Sequence, residues 1–160
     1  MCDKNINNIG LPLLSFPSNH IKLATEDEVL KIHDRLRRKW LVFTPEEYVR
    51  QCFVEWLITE FHYPVSLISN EVFIKLNETK KRCDTVVFRP DGSPLLIAEY
   101  KAPYVNINQK VFNQIVRYNM VLRANYLVVT NGMAVYCCKI DYEKNGYEFL
   151  NSIPDYKTLT

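Results

Sequence analysis

Two pairs of apolar segments, each joined by a short turn signal, constrain the fold of this chain more than any other feature. The first pair, DTVVFR and PLLIAEYK, flanks Pro90–Ser93, and the second pair, YLVVT and MAVYCCKI, flanks Asn131–Gly132. Turn residues of these types between apolar runs predict β-hairpins. A β-branched segment, Glu71–Leu76, predicts a strand before the first hairpin, and the polar segment NETKKR predicts the turn between them.

Two amphipathic segments predict helices that cover this sheet. Thr44 suits an N-cap, Pro45 suits the first helical position, and Glu47 follows the cap by three residues, so a helix is expected from there to about Phe61. Apolar residues on one face predict a second helix over residues 108–123. The order of elements predicts an α/β (α+β) fold with one central mixed sheet of about five strands flanked by helices.

The first 39 residues are expected to form an extension to this core. Residues 1–25 are polar and interrupted by prolines, which predicts an irregular arm, and residues 26–39 are expected to form a short helix with a basic end. Residues 40–160 are then expected to form the domain, since a chain of 160 residues is about the usual length of one domain, roughly 150 residues.

Composition excludes several classes of function. Twenty Lys and Arg against eighteen Asp and Glu give a net charge of +2, so any contact with nucleic acid must come from local clustering of charge. There is no GxxxxGK[ST] motif and the four glycines are scattered, so neither a nucleotide cofactor nor a motor is expected. The N-terminus lacks an apolar leader and the five cysteines lack CxxC spacing, so we expect a cytoplasmic protein with no membrane partner.

The arithmetic of the first hairpin brings two carboxylates together. With Asp91–Gly92 at the tip, Arg89 is expected opposite Pro94 and, counting outward, Asp84 opposite Glu99. Side chains that face each other across two strands lie about 5 Å apart at Cβ. A slip of one residue in the turn would break the pairing, so this expectation depends on the register.

A divalent cation is one way to neutralise such a pair. Lys101 is expected on the same face as Glu99, and Mg²⁺ binds one or two carboxylates with water and phosphate oxygens, so Asp84, Glu99 and the backbone carbonyl of Tyr100 are candidate ligands, with Mn²⁺ as a substitute. Lys101 could then orient a metal-bound water or stabilise negative charge. The alternative is a solvated sheet face on which lysines neutralise the two carboxylates.

Three cations lie just before Asp84, separated from it by Cys83. Lys80, Lys81 and Arg82 are candidate contacts to nucleic-acid phosphates, and the alternative is a solvated turn.

The stretches LVFTPEEYVRQ, HYPVSLISNEV, KKRCDTVVF, LLIAEYKAP, FNQIVRYN and YLVVTNGMAVYCC follow one another over about 110 of the 160 residues. In these stretches the chain resembles the N-terminal nuclease domain of type I restriction enzyme R subunits, a branch of the PD-(D/E)xK restriction-endonuclease-like superfamily. One departure is that Cys83 stands where the superfamily has its proline.

The resemblance implies a restriction-endonuclease-like core and Mg²⁺-dependent hydrolysis of DNA in a type I restriction or defence system. It implies that Asp84 and Glu99 bind the metal, that Lys101 is the catalytic lysine, and that Gln114 and Tyr118 are a QxxxY pair close to the DNA. Positions i and i+4 share one helix face. The implied partners are DNA and separate motor, modification or specificity subunits.

Relatives of this kind place a further acidic residue on the first helix. Glu47 is the choice here and Glu55 the alternative, while a plain capping role for Glu47 stays open. The alternative function is a catalytically silent nucleic-acid-binding module of the same fold that acts with a partner motor or specificity subunit.

Overall fold

The computed structural model describes residues 10–76 and 78–159. A small antiparallel sheet comes first in the chain. Its strands are β1 (Leu23–Glu26), β2 (Val29–Asp34) and β3 (Lys39–Val42), in that order across the sheet.

The short helix predicted over residues 26–39 is wrong, because this segment forms strands. Asp27 and Glu28 both have positive φ values, of 48° and 65°, and Glu26 pairs with Val29. A two-residue turn with two positive φ values suits the twist of an antiparallel hairpin. The apolar periodicity that favoured a helix extended over only a few residues. The turn and the burial of β2 favour strands more strongly than this periodicity favours a helix.

The larger sheet is mixed, as predicted, but has six strands in the described residues instead of about five. Its order is β4 (Ile68–Leu76), β5 (Thr79–Phe88), β6 (Pro94–Tyr100), β7 (Tyr126–Thr130), β8 (Val135–Asp141) and β9 (Gly146–Leu150). The β6–β7 pair is parallel and the other neighbours are antiparallel. The sequence analysis missed β9.

Both predicted hairpins are present, and the turn predicted over NETKKR is shorter than expected. Thr130 pairs with Val135 across the second hairpin. Because β5 begins at Thr79, Lys80, Lys81 and Arg82 lie on a strand and not in the turn.

The two predicted helices cover opposite faces of the larger sheet. α1 (Pro45–Thr59) begins where expected, with the Thr44 side chain accepting from the Glu47 backbone N–H, and ends two residues before Phe61. α2 (Gln109–Leu122) is capped by Asn108. No helix in the described parts of the chain combines the length and the apolar character that crossing a membrane requires.

The core has one layer on each side of the sheet. On the α1 side, Phe53 and Leu57 pack with Leu96 and Ala98, and the small sheet adds Ile32 to the same cluster. On the α2 side lie the buried residues Val86, Ile97, Val111, Ile115 and Val129. The proposed boundary between residues 39 and 40 falls within β3, and the division into an extension and a domain stays a prediction.

Candidate active site

A β-bulge sets the register of the hairpin that carries the candidate site. The expected pairing of Arg89 with Pro94 is wrong, because the Arg89 N–H donates to the Ser93 carbonyl at 2.7 Å and Phe88 pairs with Pro94. The register then shifts by one residue, and Leu95 is the extra residue of β6. Such bulges bend and re-aim a strand. At the turn, the observed register differs by one residue from the register counted from the sequence. The bulge reverses this difference, so the pairs from Val87–Leu96 to Thr85–Ala98 agree with the count.

Asp84 and Glu99 lie immediately beyond the last residues that this hairpin pairs, Thr85 and Ala98. At this point the Tyr100 backbone N–H donates to Asp84 Oδ2 at 3.0 Å. A side-chain carboxylate therefore accepts the hydrogen bond where a backbone ladder would otherwise continue. The two strands end their pairing here, and this brings the two carboxylates to the same end of the sheet.

Glu99 is a buried carboxylate with an unsatisfied oxygen. Its exposed fraction is 3%. Oε1 accepts from Lys101 Nζ at 3.0 Å and from Gln114 Nε2, whereas Oε2 is buried without a hydrogen-bond partner. Burial and, next, the charge of Asp84 raise the pKa of Glu99 to about 7, although Lys101 opposes the rise. The two carboxylates therefore lie close enough for one to hinder ionisation of the other.

Lys101 remains an ammonium group in this setting. Partial burial would lower its pKa, but the charges of Glu99, Glu46 and Asp84 outweigh burial and raise the pKa of Lys101. An ammonium group donates hydrogen bonds and accepts none. Lys101 is thus suited to orienting a water molecule or stabilising negative charge, and not to removing a proton.

A buried arginine, which the sequence analysis missed, holds Asp84. Arg50 is 4% exposed and its Nη2 lies 3.1 Å from Asp84 Oδ1, while its Nη1 contacts Glu47 at 2.9 Å and Glu71 at 3.3 Å. The Arg50–Glu47 spacing of three residues is a local signal that could have been noticed. The contact with Asp84 spans 34 residues of sequence, so no local sequence pattern predicts it.

Glu46, the residue before Glu47 on α1, interacts electrostatically with Asp84, Lys101 and Glu99. Burial and, next, the charge of Asp84 raise the pKa of Glu46, while Lys101 and Arg50 lower it. The Glu47 side chain instead accepts from Gln51 at 2.8 Å and from arginines, so it does not make the return bond of a capping box.

Glu55, the alternative helix acid, lies two turns further along α1. It pairs with Arg35 at 2.8 Å. Both acids chosen from the sequence pair with arginines, and the functional role of the helix acid stays a prediction.

Gln114 and Tyr118 lie side by side on α2. Gln114 Nε2 donates to the Tyr118 hydroxyl at 3.2 Å as well as to Glu99. The spacing of four residues produces this arrangement. The pair therefore lies beside Glu99, and the role close to DNA that the resemblance implies for it stays a prediction.

The three cations before Asp84 have different surroundings. Lys81 lines a depression together with residues of α2. Arg82 Nη1 lies 3.4 Å from Glu71. Lys80 is exposed, and it is the register partner of Lys75 in the β4–β5 ladder. Of the three, Lys81 is the one that faces the α2 side of the site.

The described residues contain no group of three or more His, Cys, Asp and Glu side chains arranged to hold a metal. Two carboxylates with one buried unpartnered oxygen nevertheless fit Mg²⁺, because this ion commonly binds one or two protein carboxylates and keeps several waters. The tetrahedral thiolate and imidazole sites typical of Zn²⁺ have no counterpart here.

Residues 45–154 match the family described as the N terminus of the type I restriction enzyme R protein. The chain belongs to this family. The matched range contains all the candidate site residues and begins after the small N-terminal sheet. Membership associates the chain with restriction and with nuclease-related proteins.

A solved structure shares the fold. The fragment structure of a putative HsdR subunit of a type I restriction enzyme from Vibrio vulnificus YJ016 matches with a TM-score of 0.53 and 17% sequence identity. The match covers 71% of this chain and 25% of that chain, so this chain spans about a quarter of that fragment. A search of the curated proteins gives no match.

Proposed function

We propose that this domain hydrolyses DNA phosphodiester bonds with Mg²⁺ bound at Asp84 and Glu99. The observation that carries the proposal is Glu99 Oε2, a buried carboxylate oxygen without a partner next to a second carboxylate. A buried charged group without a partner destabilises the fold by several kcal/mol. This is a large share of the net free energy of unfolding of a domain. A bound cation would remove that cost. An unpartnered carboxylate oxygen of this kind is therefore expected at a site that binds a cation.

Each neighbouring side chain has a part in this proposal. Asp84, Glu99 and the backbone carbonyl of Tyr100 would hold Mg²⁺, or Mn²⁺ in its place, which polarises a phosphate and makes a bound water more acidic. Gln114 fixes the orientation of Glu99 through Oε1 and leaves Oε2 free. Lys101 directs the attacking water and stabilises the charge that develops on the phosphate.

An internal ion pair is a weaker explanation of the same residues. Lys101 does contact Glu99, yet the pKa of Glu99 stays raised and one oxygen stays unpartnered. A pair that served stability alone would satisfy both charges. The arrangement therefore favours a ligand at Glu99.

The partners proposed for this domain are DNA and separate motor, modification or specificity subunits of a type I restriction or defence system. Support comes from the family and from the quarter of the HsdR fragment that the chain spans. The alternative function is a catalytically silent nucleic-acid-binding module of the same fold that acts with a partner motor or specificity subunit. Metal binding and cleavage decide between the two functions.

The test measures nicking of supercoiled plasmid and the heat of Mn²⁺ binding. We expect Asp84→Asn to abolish both, and Lys101→Met to abolish nicking while Mn²⁺ still binds. Asp91→Asn is the matched control on the same hairpin, since Asp91 caps the exposed turn through Ser93 and lies far from Glu99. Nicking by Asp84→Asn at the parental rate would refute the proposal. Mn²⁺ binding without nicking in the parent would indicate the silent module.

A second pair of variants tests the helix acid. Glu46→Gln is expected to weaken Mn²⁺ binding or slow nicking about 10- to 100-fold, as changes next to metal ligands commonly do. Glu47→Gln should instead lower the stability of the fold, because Glu47 pairs with Arg50. The opposite result would restore Glu47 as the helix acid.

A further inference from the structure

A depression lined by cations adjoins Glu99 on the α2 side of the sheet. Its volume is about 570 Å³. Its lining residues are Lys81 of β5 and Lys110, Asn113, Gln114, Arg117 and Tyr118 of α2. Three of these six side chains are cations and none is a carboxylate, so the depression is suited to an anion.

The cations of this depression are uncompensated within the described residues. Lys81, Lys110 and Arg117 are exposed, and none of them lies within ion-pair distance of a carboxylate there. Arg82 and Lys101, by contrast, pair with Glu71 and Glu99. The whole of α2 contains no Asp or Glu. The net charge of the protein is only +2, so this local excess of positive charge is a property of one surface and not of the whole protein.

The spacing of the cations suits a repeating anion. Lys110 and Arg117 are seven residues apart, so they lie on one face of α2 about 10 Å apart along its axis. One strand of duplex DNA advances about 3.4 Å per phosphate. Measured along the duplex axis, this separation corresponds to about three phosphate steps, so the two cations can contact different phosphates of one strand. Asn113 offers an amide donor between them.

Gln114 connects the depression to the candidate catalytic carboxylate, Glu99. Gln114 lines it and donates to Glu99 Oε1, and Tyr118 lines it beside Gln114. We propose that Lys81, Lys110 and Arg117 form a groove that binds the phosphate backbone of DNA and guides one strand to Glu99. The inference rests on the proposed function for what happens at Glu99, but binding in the groove requires neither metal nor cleavage.

The chain offers a matched control at the opposite end of the sheet. Lys139 and Lys144 line another depression, in which Asp141, Glu143 and Glu148 also take part. Replacing two lysines there removes the same charge from the protein. The carboxylates around them make that surface a poor site for phosphates.

The experiment measures binding of a short labelled DNA duplex by fluorescence anisotropy in EDTA, so that no cleavage takes place. Affinities are compared at several salt concentrations for the parent, for Lys110→Gln/Arg117→Gln and for Lys139→Gln/Lys144→Gln. Loss of two phosphate contacts should make the slope of log affinity against log salt shallower by about 1.8 in the first double variant alone. Lys110→Arg/Arg117→Lys should keep the parental slope, since both charges remain.

Equal slopes for both glutamine variants, or no DNA binding by the parent, would overturn the groove. Tripolyphosphate that displaces the duplex at equal phosphate concentration would overturn it too, because it would indicate a site for small anions. These outcomes are independent of the proposed function. Nicking that depends on Asp84 can survive a failed groove, and an intact groove can bind DNA in a protein that does not cleave.

Discussion

At the scale of single residues, Glu99 combines a cost to folding with a suitability for binding a cation. Burial and the charge of Asp84 make its ionised form unfavourable. Gln114 and Lys101 satisfy one oxygen of the carboxylate, and the other oxygen has no partner. If stability alone mattered, a neutral amide at this position would avoid the cost of a buried charge.

Replacing Glu99 by Gln should therefore stabilise the metal-free protein above neutral pH. With a pKa of about 7 in the fold against 4.5 as the ordinary value, the folded state retains a proton that the unfolded chain releases, so parental stability falls as pH rises from about 4.5 to 7. The difference corresponds to about 3 kcal/mol. Urea unfolding in EDTA should show Glu99→Gln more stable than the parent at pH 8 and nearly equal at pH 4. Glu143→Gln, on an exposed turn, is the control, and a gain independent of pH would contradict the argument.

At the scale of elements, the sequence predicted what depends on local chemistry. The Thr44 cap, the Asn131–Gly132 hairpin and the helix near residues 108–123 all follow from residues close in sequence. The bulge at Leu95 does not, because it depends on how β6 packs between β5 and β7. The register at Thr85, next to Asp84, agreed with the count only because an error at the turn and the bulge cancelled.

The Asn131–Gly132 turn also holds the N-terminal arm. Gly132 has a φ of +82°, its carbonyl accepts from the Ser15 N–H at 2.7 Å, and a Cβ built on it would lie 2.6 Å from Leu14 Cδ2. Gly132→Ala should cost about 1–2 kcal/mol, because the positive φ disfavours alanine and Leu14 must move. Chemical denaturation measures this cost, and Leu14→Ala in the same chain should recover the part due to the contact. Gly92→Ala is the control, since its φ is +83° but its Cβ would meet nothing within 4 Å.

At the scale of the whole molecule, the small sheet and the site are parts of one charge network. Arg37, which follows β2, donates to Asp34 and Glu71 and lies 3.4 Å from Glu47. Glu47 and Glu71 contact Arg50, which in turn contacts Asp84. The sequence could not predict this network, since its members come from four elements and their contacts span up to 34 residues. Arg37 precedes residue 45, where the family match begins.

Removing Arg37 tests whether this network holds the molecule together. Arg37→Met would leave Asp34, which is fully buried, without its cation, whereas Glu71 would keep Arg50. Loss of one partner of a buried ion pair costs about 3–5 kcal/mol. The midpoint of urea unfolding at pH 7 should fall accordingly. The loss should shrink at low pH as the carboxylates take up protons, because Arg37 holds the pKa of Asp34 low against its burial. Arg38→Met, an exposed neighbour with no ion pair in the described residues, should change stability little. Equal effects of the two substitutions would show that the small sheet is held by apolar packing alone.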